Sequence, residues 1–276
     1  MNRRQKAILK RNIFLGFCAL VLVALIGIIV FVVSAINRKT AEKPQKQDTS
    51  SIQSESSSDT SSTEEPEEPK TVQLGEYTLD ATFNKLLLVN GENPLPDDYD
   101  YEANLTEIPQ EYIKGSLTKI DKDVWVYLKA MLDNARKEGI DIGVWSPYRS
   151  YATQKMLFEK QVNKQIQNGV PKEQAEDKAA TIVARPGTSE HHTGLALDIN
   201  CANSSFEKTK AYEWLKQNAE NYGFIMRYSE EKQSITGVIH ESWHWRFVGI
   251  NTAKKMNQLN MCLEEYLEYI SKTSKH

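Results

Sequence analysis

Ser189-Glu190-His191-His192-Thr193-Gly194-Leu195-Ala196-Leu197-Asp198 and Glu241-Ser242-Trp243-His244-Trp245-Arg246 are the two stretches around which this chain is organised. Four of its five histidines lie in or beside them, at 191, 192, 240 and 244. Histidine and carboxylate together are the usual ligand set of a catalytic zinc that keeps one position open. Here the set reads as His191, Asp198 and His244. Gly194 permits a turn after the first histidine. Leu195 to Ile199 then alternates as a strand, with Ala196 and Asp198 on one face and Leu195, Leu197 and Ile199 turned to the core. A small residue beside the ligand leaves room for a metal and a substrate. In the second stretch, strand alternation points His244 away from Trp243 and Trp245. Glu241, three residues earlier, is placed to serve the metal site as a general base. Taken singly, a histidine on a strand is more often a hydrogen-bonded structural residue than a ligand. The joint pattern is what favours a metal.

That joint pattern resembles the S-x-H-x-x-G-x-A-x-D and E-x-W-H-x-R motifs of the VanY-type D-alanyl-D-alanine carboxypeptidases, bacterial zinc peptidases that trim cell-wall stem peptides. The flanks are similar too: Arg185-Pro186-Gly187, Arg227-Tyr228, Thr236-Gly237 and Phe247-Val248-Gly249. Ser146-Pro147-Tyr148-Arg149-Ser150-Tyr151, followed by Gln154, looks like the family's S-G-Y-R-S-x-x-x-Q. The resemblance covers roughly residues 120 to 270. It implies a Zn2+ cofactor, peptidoglycan stem peptides as substrate and a D,D-carboxypeptidase/hedgehog-like fold. It further implies that Arg149 contacts the substrate, at the developing oxyanion or the terminal carboxylate, and that Ser189, Tyr148 and Gln154 lie near the substrate. Three positions depart from the pattern: Ser242 stands where proline is usual, Pro147 where glycine is usual, and His240 where an aromatic is common. Two other readings stay open: an L,D-carboxypeptidase acting on tetrapeptide stems, and a zinc-bearing module that binds peptide ends without cutting. An intact Glu241 speaks against the second, because binding alone needs no base beside the metal.

The rest of the chain fits one such domain with an N-terminal attachment. It has 276 residues, 40% of them hydrophobic, and a formal charge of −3, which offers no electrostatic footprint for nucleic acid. Residues 1–12 form a short basic tail. Residues 13–36 are an uncharged apolar run long enough to cross a bilayer as a helix, and the large polar region beyond it favours an inside N-terminus. The expectation is a retained single-pass anchor with the catalytic domain outside the cytoplasm. The alternative is a cleaved signal ending at Val32-Val33-Ser34-Ala35. Residues 37–70 are rich in Ser, Thr, Glu, Pro and Lys, cannot bury enough apolar surface to offset chain entropy, and are expected to be a disordered tether. Residues 71–276 are the folded domain.

Within that domain the pattern predicts an α+β fold, with helices packed around a small, mainly antiparallel sheet. A helix is expected from an Asp121 N-cap to Lys137, with Val124, Leu128, Met131, Leu132 and Ala135 on its core face. A strand should follow over 140–145. Further helices are expected over 151–167, from Pro171 to Val183, and over 206–222, with a strand at 224–227 and short helices near 252–258 and 263–270. Cys201 and Cys262 lie in a compartment that permits disulfides, and the sequence leaves their pairing open. Ser116-Leu117-Thr118-Lys119 has the form of the serine-enzyme S-x-x-K, but the K-T-G that should accompany it is missing, since Ile235 precedes Thr236-Gly237.

Overall fold

The computed structural model describes residues 69–274. The apolar run 13–36 and almost all of the expected tether lie outside the described residues. Among those described, no helix is long and apolar enough to cross a membrane.

The fold is α+β. Two small hairpin-like pairs come first: β1 (Thr71–Leu74) with β2 (Tyr77–Asp80), and β3 (Leu105–Glu107) with β4 (Lys119–Asp121). Next come α1 (Trp125–Lys137), β5 (Val144–Ser146), α2 (Tyr151–Gln167) and α3 (Lys172–Ala180). The remaining elements are β6 (Ala196–Ile199), α4 (Lys210–Asn218), β7 (Phe224–Met226), β8 (His244–Phe247), α5 (Ile250–Gln258) and α6 (Leu263–Thr273). The central sheet runs β5-β6-β8-β7 with every neighbour antiparallel. Its register sets Ser146 opposite Asp198, and Asp198 opposite His244. Directly paired side chains on one face stand about 5 Å apart, so this row gathers the polar groups from three strands.

The other face is apolar. Leu195, Leu197, Ile199, Trp245 and Phe247 are buried in one core with Leu128, Met131 and Leu132 of α1. Alternation along β6 and β8 therefore separates core from site as the sequence predicted. Gly194 makes the entry to β6 possible. Its φ is 68°, and a Cβ there would lie 2.6 Å from the backbone nitrogen of Asp121, so any other residue would be both strained and blocked.

Several boundaries differ from expectation. α2 matches, because Ser150 caps it by accepting the Thr153 amide at 3.2 Å. α1 instead starts at Trp125 and not at Asp121. Asp121 ends β4, and its Oδ1 accepts the amides of Asp123 (3.0 Å) and Val124 (3.2 Å) in a turn that precedes the helix. The expected 206–222 helix is split at Thr209, whose extended backbone (φ −100°, ψ 152°) starts a new helix by capping Tyr212. The expected 140–145 strand shrinks to Val144–Ser146, and the third helix stops at Ala180 rather than Val183. Cys201 and Cys262 are both free thiols, and Cys262 caps α6.

Candidate metal centre and active site

His191 comes from the short turn Glu190–Thr193 that Gly194 ends, Asp198 from β6 and His244 from the first position of β8. All three are buried, and their ligand atoms lie within 4.8 Å of one another. Asp198 Oδ1 is 3.5 Å from His191 Nε2 and 3.4 Å from His244 Nδ1, yet accepts no hydrogen bond. Atoms ~2.0–2.1 Å from one tetrahedral ion stand ~3.3 Å apart, so these separations fit a zinc-sized cation. A buried carboxylate oxygen that accepts no hydrogen bond is costly in a folded protein, and a cation between it and the two histidine nitrogens would satisfy it.

The rings are oriented for the same purpose. His191 Nδ1 lies 2.8 Å from the Pro147 carbonyl, which can only accept, so that nitrogen carries the proton and Nε2 presents its lone pair. On the far side of the trio, His244 Nε2 faces Glu190 Oε2 at 3.4 Å. Histidine ligands commonly donate their second nitrogen to a carbonyl or carboxylate in this way. His192, by contrast, is fully committed elsewhere. Its Nδ1 donates to the Arg149 carbonyl (2.8 Å) and its Nε2 accepts the Gly187 amide (3.0 Å).

Burial and charge tune the metal-free groups strongly. Burial, with Arg149 adding to it, lowers His191 to about 4. Burial opposes charge on His244 too, but the Asp198 and Glu190 carboxylates outweigh it and raise that ring to about 9. Burial would raise Asp198, yet His191 and Arg149 hold it well below the usual carboxylate range. Glu241 goes the other way: burial pushes it up to about 7, with His244 only partly opposing. Its Oε2 is 3.8 Å from His244 Nδ1, in the turn that leads into β8.

Arg149 pairs with the outer oxygen of Asp198, Oδ2, and its Nε donates to Ser146 Oγ at 2.8 Å. Its guanidinium thus stands on the wall of the site with one edge held. An open cleft of about 1090 Å³ passes over the trio and is lined by Arg149, Gln154, Ser189, Glu241 and Trp243. It continues along one face of α2 through Lys160 and Lys164. Gln154 donates its amide to Ala184 O at 2.7 Å and leaves Oε1 buried without a partner. Tyr148 is buried and lies outside the cleft lining. Its amide is bound to Lys119 O at 2.9 Å, and burial pushes its hydroxyl up to about 12. The structure therefore brings together seven of the eight site residues read from sequence and leaves Tyr148 behind them. Of the three departures from the motif, His240 has the visible consequence: it is bonded to Glu207 and, at 2.9 Å, to Tyr228 O, beside Glu241.

A family model described as VanY, D-alanyl-D-alanine carboxypeptidase, matches residues 117–250. The D-alanyl-D-alanine carboxypeptidase of Enterococcus faecalis is 40% identical over 182 residues, 66% of this chain and 65% of that protein. The putative carboxypeptidase YodJ of Bacillus subtilis is 37% identical over 213 residues, 72% of each chain. This chain belongs to the VanY family. Among solved structures, the vancomycin resistance D,D-pentapeptidase VanY in complex with Zn(II) is 40% identical, with a TM-score of 0.58 over 66% of this chain and 98% of that one. The LD-carboxypeptidase LdcB is 38% identical, with a TM-score of 0.56 over 66% of this chain and 84% of that one. The chain spans just under two thirds of the Enterococcus relative's length. Zinc is the cofactor that both the donor set and the Zn(II) complex of the VanY relative support, and His191, Asp198 and His244 would hold it.

One feature of the centre escaped the sequence reading: Glu190. It is wholly buried between Arg227 (2.8 Å) and Arg246 (2.7 Å). Burial would raise its carboxyl, but the two guanidiniums and His244 hold it well below the usual range. The signal was available, since an arginine in an apolar strand segment needs an acidic partner: Arg246 stands inside the second motif, on β8, and Arg227 directly follows β7.

Proposed function

We propose that this chain is a zinc-dependent D,D-carboxypeptidase that releases the C-terminal D-alanine from peptidoglycan stem peptides, with Glu241 as its general base. The observation that carries this is the place of Glu241: buried, on the cleft wall, with Oε2 3.8 Å from the Nδ1 of His244 and no place among the three ligands. A carboxylate within reach of the reacting water can take its proton and return it later. Zinc held by His191, Asp198 and His244 would supply Lewis acidity, making a water there more acidic. Glu241 accepts the proton of the attacking water and later hands it to the departing amine of D-alanine. Attack on the carbonyl creates a tetrahedral oxyanion, and Arg149, held by Asp198 and Ser146, supplies a fixed positive charge beside it or takes the substrate's terminal carboxylate. Ser189, on the cleft wall, offers a polar contact to the peptide, and Gln154, fully buried beside it, supports that wall through its bond to Ala184 O.

The test is turnover of defined pentapeptide and tetrapeptide stems by purified protein, before and after chelation and zinc restoration. Release of D-alanine from the pentapeptide only with zinc is expected. Full activity in a sample shown to be metal-free by elemental analysis refutes the proposal. The tetrapeptide arm addresses a second reading, because the LdcB LD-carboxypeptidase is nearly as similar as the D,D-enzyme, at 38% against 40% identity.

The proposal includes attachment through residues 13–36, with the catalytic domain outside the cytoplasm. It is supported by the uncharged apolar run and by a substrate class found in the cell wall. Fractionation that recovers only soluble protein beginning after Ala35 would show a cleaved signal instead.

A further inference from the structure

We infer that Glu190 is a positioning residue of the metal centre: it fixes the proton of His244 on Nε2 and so turns the Nδ1 lone pair towards His191 and Asp198. This rests on the zinc-peptidase reading above. The geometry divides the carboxylate between two tasks. Oε1 receives Arg227 Nε at 2.8 Å and Arg246 Nη1 at 2.7 Å, while Oε2 faces His244 Nε2 at 3.4 Å. Glu190 and both arginines have fully buried side chains. The arginines are themselves held from behind. Glu264 takes Arg227 at 2.9 and 2.6 Å, and Arg246 donates to the carbonyls of Leu87 (2.7 Å) and Phe247 (3.0 Å). The carboxylate thus has no freedom to rotate away from the ring.

An ionised carboxylate only accepts hydrogen bonds, so the ring nitrogen that meets it must donate. In a neutral imidazole this leaves the other nitrogen, Nδ1, with the free lone pair. The chain economy is also notable in its topology. One short turn, Glu190–Thr193, delivers the ligand His191 and, one residue earlier, the group that orients the ligand on β8.

Glutamine separates this role from simple filling of space. In Glu190→Gln the two arginine donors would hold the amide oxygen, so the NH2 would face His244 Nε2 and donate to it. The ring would then carry its proton on Nδ1, where the metal has to bind. A near-isosteric change should therefore weaken zinc binding, which a packing role would not. Glu264→Gln is the control, since it disturbs the same buried cluster from its far end and leaves the Glu190–His244 contact in place.

The experiment uses the full chain in detergent and measures the zinc dissociation constant by chelator competition, with thermal midpoints of the metal-free forms. Glu190→Gln is expected to bind zinc ~10–100-fold more weakly, the usual effect of losing a partner that orients a ligand. Glu264→Gln should be less stable than wild type but bind zinc within about threefold of it. His191→Ala, included to test the parent reading, should lose zinc. If Glu190→Gln binds within threefold of wild type while His191→Ala loses its metal, the inference fails and the metal centre stands. If His191→Ala binds as wild type does, the metal reading fails and takes this inference with it. A measurement on the wild type guards against a misfolded variant: nitrogen-15 spectra of the zinc-loaded protein should show His244 protonated on Nε2. Protonation on Nδ1 would overturn the inference.

Discussion

In metal-free protein, Glu241→Gln should raise the free energy of unfolding by about 3 kcal/mol at pH 8 and by less than about 1 kcal/mol at pH 5. Burial moves the carboxyl from its ordinary 4.5 to about 7. Below 4.5 the group is protonated in both folded and unfolded chains and contributes no difference. Between those values the unfolded chain ionises while the folded protein keeps the proton, and stability falls by about 1.4 kcal/mol per pH unit. Above 7 the full penalty remains. Glutamine keeps the size and removes the charge, so it escapes that penalty. The same change removes the proton acceptor, and turnover by the zinc-loaded variant should drop ~10²–10⁴-fold. Zinc should stay bound, because Glu241 is not among the three ligands. Stability and activity thus move in opposite directions at one residue, as expected where an active site holds a group the fold alone would not choose. Urea unfolding of chelator-treated wild type and variant at the two pH values measures the first effect, and peptide turnover the second. A variant no more stable than wild type at pH 8, or a difference that ignores pH, would refute the reasoning from burial.

Three further outcomes are expected. His244→Ala should purify with little zinc and little activity, whereas His192→Ala should keep most of its zinc, because both His192 nitrogens are spent on the Arg149 carbonyl and the Gly187 amide; metal analysis of the two proteins decides. Zinc loading at pH 8 should release at least one proton, the one from His244, since that ring sits at about 9 without metal and a ligand must be deprotonated. Calorimetry in buffers of different ionisation heat reads the release, and a value near zero would contradict it. Gly194→Ala should cost about 2–4 kcal/mol, from a left-handed backbone at φ 68° plus a Cβ 2.6 Å from the Asp121 nitrogen, and denaturation would show it.

The clustering of His191, Asp198 and His244 was legible because zinc accepts few residue types and strand alternation says which way each side chain points. Helix α2 was legible for a local reason, a serine cap at one end and Asn168-Gly169 at the other. Asp121 misled for a related reason. Its side chain makes the same bonds to following amides whether it starts a helix or closes a strand, and only pairing with Leu105 decides between them. The register that sets Asp198 beside His244 is likewise non-local and is not written in either segment alone.

Glu190 was missed because a buried carboxylate has no periodicity, yet the charge arrangement it completes explains the oddity of Glu241. Glu190 and Glu264 face Arg227 and Arg246, two negative against two positive charges in a sealed cluster. Asp198 faces Arg149. Each of these carboxylates therefore stays ionised despite burial, since opposite charges at hydrogen-bonding distance outweigh desolvation. Glu241 has no arginine of its own among the described residues, and the histidine beside it is shared with Asp198 and Glu190. It is the carboxylate at the centre that desolvation can push towards neutrality. A divalent cation at the neighbouring trio would add the positive charge that Glu241 lacks and draw it back towards the ionised form. The fold thus gives Asp198 and Glu190 arginine partners and leaves Glu241 with only a shared histidine. That asymmetry lets one group hold a proton loosely, while the groups around it, bound to arginine, do not titrate near neutral pH.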